Sequence, residues 1–243
     1  SSVIAITSIG ASAEAVVNKE FQSFGTNAMY LYMNWEMTAD SGIQYSDLIL
    51  PEDIDALKAR FPEDILYVCP SLYGSSEVKV GRVNGKLEME GVAADYNKFY
   101  RMDMIYGRMI NESDILGKRE RIVIDEKASR HFFNKADSVG EKLVVRLGGE
   151  NKELTIVGVY RKEPSIFDKM NTGSSFITYV PYPLLQIGDD TAVALMLYIN
   201  GEKNPTELGG EITRYLSRIK DKDPMFYKFE SAEAQMDMIN NVL

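Results

Sequence analysis

The sequence predicts an α+β protein whose first and last parts together form a split β-α-β unit, the ferredoxin-like arrangement of four strands with two helices on one face. A strand-helix-strand pattern occurs near the start of the 243 residues and again near the end. Roughly 120 residues separate the two patterns, which is too many for a loop and suits an inserted subdomain. We therefore predict one subdomain from residues 1–72 and 190–243, and a β-rich subdomain inserted at residues 73–189.

The first pattern begins with Asn27–Trp35, whose aromatic and β-favouring residues predict a strand. A helix is predicted at Pro51–Phe61, since proline suits the first helical position and acidic side chains follow it in the first turn. Pro62 ends this helix. Asp64–Cys69 then predicts the second strand.

The second pattern repeats this order. Ala192–Ile199 predicts a strand, Pro205–Ile219 a helix with apolar residues at helical spacing, and Met225–Phe229 a closing strand. Two such units facing each other predict the split β-α-β sheet.

The insert is predicted to be rich in strands with small helices. Its clearest signal is Asn84-Gly85 between Val78–Val83 and Lys86–Val92, because Asn-Gly favours the tight turn of a β-hairpin. The further predictions are a helix at Asp95–Met104, a strand at Ile122–Ile124, a helix at Glu126–Phe133, strands at Glu141–Arg146 and Leu154–Tyr160 joined through Gly148-Gly149, a loop at Lys162–Ser175 and extended chain at Phe176–Val180.

An amphipathic helix is also predicted at each end. The first is predicted from the apolar stripe Ile9, Ala13, Val16, Val17 and Phe24, which Gly25 ends, and the second from Met236, Ile239 and Leu243, with Ser231 as the N-cap. Two interpretations remain open: ordinary terminal helices packed on the core, or a module cut from a longer protein. The sequence has no apolar run of about 18 or more residues that could span a bilayer.

Composition excludes several function classes. Thirty-six acidic against 27 basic residues give a net charge of -9, which disfavours nucleic acid and anionic membranes as partners. One cysteine, Cys69, rules out an internal disulfide, and one histidine, His131, rules out two-histidine metal sites within the chain. His131 is interpreted as a partly exposed helix residue rather than a catalytic base.

A search for chemistry predicts no catalytic, cofactor-binding or metal-ligating residue, and no cofactor. The glycine pairs lack the lysine of a phosphate-binding loop. Gly74-Ser75-Ser76 and Gly173-Ser174-Ser175 are interpreted as turns rather than nucleophile elbows. Asp189-Asp190 and the pair Asp221 and Asp223 lack the spacing of a calcium loop and are interpreted as solvated turn carboxylates.

Methionine and tyrosine are abundant, and core filling is the simplest interpretation. It covers eight methionines in predicted strands and helices: Met29, Met33, Met102, Met104, Met109, Met196, Met236 and Met238. A different hypothesis is that Tyr30, Tyr32 and Trp35 line a surface for an apolar ligand.

Four collinear segments carry a resemblance. They are Phe24-Gly25-Thr26-Asn27 after the opening helix, Tyr106–Asp114 with its Gly-Arg-apolar-acid order, Arg121–Phe133 ending in paired aromatics, and Val139–Leu143 with Leu154–Val159. In this order they resemble the extracytoplasmic core domain of MacB-type ABC-transporter permeases, the family of the macrolide exporter and the lipoprotein-release permeases. The stretch from Lys162 to Gly188 matches no family pattern.

The resemblance implies a porter-like subdomain from the two outer units and a sabre-like inserted subdomain, with the terminal helices as stalks leading into transmembrane helices. It implies a non-catalytic domain on the extracellular or periplasmic face of the cell membrane. ATP would be hydrolysed by a separate cytoplasmic subunit or domain, and the permease would act as a homodimer or paired permease on a peptide, drug or lipoprotein. The alternative is a stand-alone extracellular ligand-binding or protein-interaction domain.

Overall fold

The computed structural model of the protein describes residues 27–100, 102–162, 173–186 and 188–231. The strands in these ranges are β1 (Ala28–Met33), β2 (Ile65–Pro70), β3 (Tyr73–Val80), β4 (Val83–Val92), β5 (Asp103–Gly107), β6 (Arg121–Asp125), β7 (Lys142–Leu147), β8 (Glu150–Arg161), β9 (Ser175–Pro181), β10 (Ala194–Ile199) and β11 (Tyr227–Ser231). The α-helices are α1 (Trp35–Thr38), α2 (Pro51–Arg60), α3 (Tyr96–Phe99), α4 (Glu112–Leu116), α5 (Glu126–Phe133) and α6 (Pro205–Ile219).

The strands of the two outer patterns form one antiparallel sheet in the order β11-β1-β10-β2. Counted along the chain this is fourth-first-third-second, the strand order that a split β-α-β unit requires. The predicted α+β fold is therefore confirmed. Boundaries shift slightly, because Trp35 begins α1 instead of ending β1, and Ser231, predicted as an N-cap, is the last residue of β11.

Helices α2 and α6 cover one face of this sheet. Pro51 and Pro205 each occupy the first helical position, and the Asn204 side chain caps α6 by accepting hydrogen bonds from two backbone N–H groups. The buried core between helices and sheet includes Met29, Leu31, Met33, Leu57, Ile65, Leu195, Leu197, Leu208, Ile212 and Leu216. Burial of these apolar side chains is the main source of stability for this half.

The inserted residues form a seven-stranded mixed sheet with the path β3-β4-β9-β6-β8-β5, and β7 pairs with β8. β4 runs parallel to β9, and β6 parallel to β8. Helix α5 packs on this sheet over a core that includes Leu87, Met89, Ile122, Ile124, Phe132, Leu143, Leu154 and Ile156. The strand at 122–124 and the helix at Glu126–Phe133 were predicted from the sequence and are confirmed.

The first hairpin of the insert turns elsewhere than predicted. β3 and β4 are joined through Gly81 and Arg82, with Gly81 at φ +60°, and Asn84-Gly85 lies inside β4. A Cβ atom on Gly85 would come within 2.7 Å of the Phe132 ring. This glycine is therefore needed for close packing of α5 rather than for a turn.

Three other predictions need correction or lie outside the described residues. The helix predicted at Asp95–Met104 is only the single turn α3, and β5 begins at Asp103. The segment Gly74-Ser75-Ser76 is part of β3, not a turn. The terminal helices predicted within residues 1–26 and 232–243, and most of the predicted loop after Lys162, lie outside the described residues.

The Gly148-Gly149 turn between β7 and β8 is confirmed, with both glycines at positive φ.

Candidate functional site

A cluster of aromatic rings joins the two sheets, on the face of the four-stranded sheet opposite its helices. We call it the tyrosine junction; it consists of Tyr67, Tyr96, Phe99, Tyr100, Tyr179 and Tyr198. Tyr96 and Tyr100 stack with ring centroids 4.5 Å apart, and both contact Tyr67 of β2 edge to face. Such ring pairs prefer definite geometries, so the cluster restricts how one sheet can move against the other.

Hydrogen bonds reinforce the tyrosine junction. The Ala93 N–H donates to the Tyr67 hydroxyl at 2.9 Å, and the Tyr100 hydroxyl donates to the Leu197 carbonyl at 3.3 Å. Both bonds cross from the inserted residues to the four-stranded sheet. They satisfy polar groups that burial would otherwise leave unpaired.

Cys69 lies beside the tyrosine junction on β2, buried and without a disulfide. Burial raises the pKa of the Cys69 thiol to about 12. The thiol is therefore protonated at neutral pH and is not a reactive nucleophile. Its Sγ lies 3.6 Å from the Gly91 carbonyl oxygen, so it packs as a small side chain between the sheets.

The segment from Tyr106 to Asp114 forms a second fixed structure on the inserted part. Gly107 has φ +66°, and a Cβ atom there would lie 2.1 Å from the Val157 carbonyl oxygen, so only glycine fits. Arg108 follows, and its guanidinium binds the Asp114 carboxylate through two hydrogen bonds of 2.6 and 3.2 Å. Gly107 therefore allows the close approach of the backbone, and Arg108 and Asp114 form an ion pair that holds the segment together.

Asp114 is fully buried and also accepts a hydrogen bond from the Asn111 N–H at the start of α4. Burial alone would raise the pKa of its carboxyl, but the hydrogen bonds from Arg108 and from the Asn111 backbone, with the Arg108 charge, lower it overall. Asp114 is therefore ionised at neutral pH, and it holds the β5–α4 connection in place.

The residues considered for catalysis are not brought together. His131 on α5 makes a 2.7 Å hydrogen bond between Nε2 and the Asn84 carbonyl oxygen. Asp190 pairs with Lys118, and the Asp223 carboxylate accepts a hydrogen bond from the Met225 N–H. In the described ranges, no group of three or more His, Cys, Asp and Glu side chains is placed to hold a metal ion.

The tyrosines of β1 lie on the face that carries the tyrosine junction. Tyr30 and Tyr32 stack with centroids 5.4 Å apart, and the Tyr32 hydroxyl donates to Glu230. Trp35 is separate from them, half-exposed at the start of α1. Among the eight methionines, Met29, Met33 and Met109 are core residues, as predicted.

Two depressions lie outside the tyrosine junction. One, of about 330 Å³, separates α2 from α4 and includes Ile54, Ile115 and Tyr182 in its wall. The other, of about 550 Å³, follows the outer surface of α6 beside Phe61. Sequence reasoning did not find either, because each combines residues far apart in the chain.

No helix in the described part of the chain is long and apolar enough to cross a membrane.

Comparisons with known proteins agree on one family. The family model described as the MacB-like periplasmic core domain matches residues 1–215. The macrolide export ATP-binding/permease protein MacB of Escherichia coli strain K12 is 24% identical over 231 residues, covering 93% of this chain and 34% of the relative. The same protein from Escherichia coli O6:K15:H31 gives the same values. The chain thus spans about a third of the length of the curated relatives that it matches.

Solved structures show the same fold. The periplasmic region of MacB from Actinobacillus actinomycetemcomitans superposes with a TM-score of 0.69 at 19% identity, covering 93% of this chain and 98% of that one. The extracellular domain of the noncanonic ABC-type transporter YknZ from Gram-positive bacteria gives 0.63 at 20% identity, covering 84% and 100%.

The family model matches most of the 243 residues. Of the segments that carry the resemblance, Tyr106–Asp114, Arg121–Phe133 and the pair Val139–Leu143 with Leu154–Val159 lie in the described ranges, whereas the segment before β1 lies almost wholly outside them. The chain belongs to the family of MacB-like periplasmic core domains.

Proposed function

We propose that this chain is the extracytoplasmic domain of a MacB-type ABC-transporter permease, and that it transmits movement rather than catalysing a reaction. ATP hydrolysis would take place in a separate nucleotide-binding subunit or domain, in line with the ATP-binding/permease names of the relatives. The domain would stand on the extracellular or periplasmic side of the membrane, in a homodimer or paired permease, and would act on a peptide, drug or lipid-linked substrate during export or extraction.

The observation that carries this proposal is the position of the two outermost described residues. Asn27 directly precedes β1 and Ser231 ends β11, and these strands are neighbours, with Met29 opposite Ser231. Residues 1–26 and 232–243 therefore join the four-stranded sheet at the same end of adjacent strands. Movement of either flanking segment would reach the sheet at one point.

The sheet is suited to pass such movement on as a unit. β1 is hydrogen-bonded on both sides, to β10 and to β11, so a pull along it loads both ladders. Interlocked packing of this kind moves as a body rather than deforming continuously. The tyrosine junction would then carry the rotation to the seven-stranded sheet. We propose that the two sheets mark the two subdomains, residues 1–72 with 190–243 and residues 73–189.

Spin-label distances in the full-length permease, assembled with its ATPase in lipid nanodiscs, test the proposal. One label replaces Asn151 on β8 and the other Glu207 on α6, both exposed positions far from the tyrosine junction. Cys69 needs no replacement, because its buried thiol with raised pKa will not react with the label. Double electron–electron resonance is recorded without nucleotide and with ATP plus vanadate.

We expect the distance between the Asn151 labels of two protomers to change with nucleotide state, while the distance between Asn151 and Glu207 labels within one protomer stays constant. A variant ATPase unable to hydrolyse or trap nucleotide is the control and should show one state throughout. An inter-protomer distance that ignores nucleotide would contradict mechanical transmission. A nucleotide-dependent distance within the protomer would contradict movement as a single body.

A further inference from the structure

The depression on the outer surface of α6 carries a concentration of positive charge on a chain whose net charge is -9. We call it the arginine groove; its walls are formed by Arg60, Phe61, Glu211, Arg214, Tyr215, Arg218, Asp221, Lys222 and Pro224. It measures about 550 Å³ and lies on the side of the helices turned away from the sheet.

The arginines of the groove have no ionic partner among the described residues, whereas the lysines beside them do. Lys222 pairs with Asp47 and Lys220 with Asp53. Arg60, Arg214 and Arg218 are exposed and form no ion pair in the described ranges. Arg214 and Arg218 are four residues apart on α6, a spacing at which like charges destabilise a helix.

An aromatic floor holds two of these guanidinium groups in place. The guanidinium carbon of Arg60 lies 5.0 Å from the Phe61 ring centroid and 6.0 Å from that of Tyr215, and the guanidinium carbon of Arg218 lies 5.3 Å from the Tyr215 centroid. Stacking on rings orients the groups while leaving their N–H donors directed to solvent. Oriented guanidinium groups bind oxyanions, carboxylates included, through paired hydrogen bonds.

The groove fits a chain of spaced charges better than a compact polyanion. Its volume is many times that of one phosphate, and Phe61, Tyr215 and Pro224 give it apolar surface. Glu211 and Asp221 also stand in its wall, where they would repel a dense cluster of negative charge. A polypeptide with acidic residues separated by apolar ones can place its carboxylates against the arginines and its apolar side chains on the rings. The spacing keeps its charges away from Glu211 and Asp221.

We propose that the arginine groove is a docking surface for an acidic, partly apolar segment of a partner protein. This inference goes beyond transmission of movement and does not depend on it. The partner would lie along α6, on a face that the two-sheet packing leaves uncovered. Its binding would weaken with salt, because the arginines are exposed.

The test measures fluorescence anisotropy of a fluorescein-labelled peptide that alternates Glu with Leu and Phe, added to the 243-residue chain. A peptide with Lys in place of every Glu, inorganic phosphate and phosphatidylglycerol vesicles are the comparison ligands. We expect the Glu peptide to bind, the Lys peptide not to bind, and the combined variant Arg214→Glu with Arg218→Glu to lose about tenfold or more in affinity.

Lys79→Glu with Arg82→Glu is the matched control, since both residues are exposed at the β3–β4 hairpin and their reversal changes the net charge as much as the groove variant does, without touching the groove. It should retain the wild-type affinity. Arg214→Gln with Arg218→Gln guards against misfolding by the charge reversal, and circular dichroism checks each variant. Equal affinity in wild type and groove variants overturns the proposal. So does arginine-dependent binding of vesicles or phosphate without binding of the Glu peptide. Either failure leaves the spin-label result unaffected.

Discussion

The ion pair between Arg108 and Asp114 shows at the scale of single residues what the Gly-Arg-apolar-acid order is for. The carboxylate is fully buried, whereas 43% of the Arg108 side chain is exposed. Arginine therefore supplies a charge that remains partly hydrated while it neutralises one that is not. The sequence could show that these residues resemble a family pattern, but not that they pair, because the bond depends on how α4 folds back after β5.

Asp114→Asn should lower the free energy of unfolding by about 2–3 kcal/mol, somewhat less than the loss of one partner from a fully buried pair. The reason is that the variant removes the charge that Arg108 binds and weakens the cap of α4. Urea denaturation of the 243-residue chain measures the change. Asp190→Asn, which breaks the exposed pair with Lys118, should change stability by less than about 0.5 kcal/mol. Equal effects of the two substitutions would refute a structural role for Asp114.

Glu90 is a second residue with a measurable signature. It lies on β4 opposite Tyr73 and Tyr179, and burial raises the pKa of its carboxyl to about 7. The titratable groups that interact electrostatically with Glu90 are uncharged at neutral pH. They are the hydroxyls of Tyr73, Tyr96, Tyr100 and Tyr179 and the thiol of Cys69. The folded protein thus favours the protonated form of Glu90.

The raised pKa predicts a loss of stability as pH rises from the range of an unfolded glutamate to about 7, and no further change from this group above that. At about 1.4 kcal/mol per pH unit, the loss is at most about 3–4 kcal/mol. Glu90→Gln removes the titrating group, so its free energy of unfolding should fall less than that of wild type between pH 5 and pH 8. Urea denaturation of both proteins at the two pH values measures the difference. Glu88→Gln, on the same strand but in an exposed pair with Lys86, is the control. If wild type and Glu90→Gln lose stability in parallel, the buried-carboxyl explanation is wrong.

At the scale of elements, helices were predictable where their ends carry local signals. Pro205–Ile219 begins after an Asn cap with proline next to it, and Glu126–Phe133 begins after an Asp cap. The position of the hairpin turn was not predictable. Asn84-Gly85 carries a strong local turn signal, but its glycine is required by the packing of Phe132, almost 50 residues away. A glycine needed for close packing cannot be told from a turn glycine without the partner element.

The two adjacent glycines of α6 differ in the same way: one is required for close packing and the other is not. A Cβ atom on Gly209 would lie 2.5 Å from the Phe229 ring, whereas one on Gly210 would meet only the flexible end of Arg214, at 3.1 Å. Gly209→Ala should lower the free energy of unfolding by about 1–2 kcal/mol, since overpacking outweighs the gain in helix propensity. Gly210→Ala should raise it by up to about 1 kcal/mol. Thermal denaturation followed by circular dichroism compares them, and a stabilising Gly209→Ala would show that α6 does not lie so close to β11.

At the scale of the whole molecule, the order of the four-stranded sheet was predictable because two strand-helix-strand units admit few arrangements. The tyrosine junction was not. Its residues lie on β2, β9 and β10, on α3 and at Tyr100 directly after α3, and the sequence gives each an ordinary reason to be apolar or half-buried. The same limit applies to the arginine groove, because Arg60 and Arg214 line one groove only as a result of the packing of α2 beside α6. Surfaces assembled from distant segments require the fold first.

The tyrosine junction predicts that the two sheets unfold together. Trp35, the sole tryptophan, reports on the four-stranded sheet by fluorescence, and far-ultraviolet circular dichroism reports on both sheets. In wild type the two urea transitions should coincide, because Tyr96, Tyr100 and Tyr67 bind the sheets into one cooperative unit. The combined variant Tyr96→Ala with Tyr100→Ala removes the stacked pair that bridges them. Its transitions should separate, since each sheet retains its own core while the coupling between them is lost.

Tyr73→Ala is the control, because its ring is exposed outside the tyrosine junction, and it should leave the transitions coincident. If the double variant still unfolds in one transition, contacts other than these rings hold the sheets together, and movement entering at β1 and β11 would have to reach the inserted part by another route.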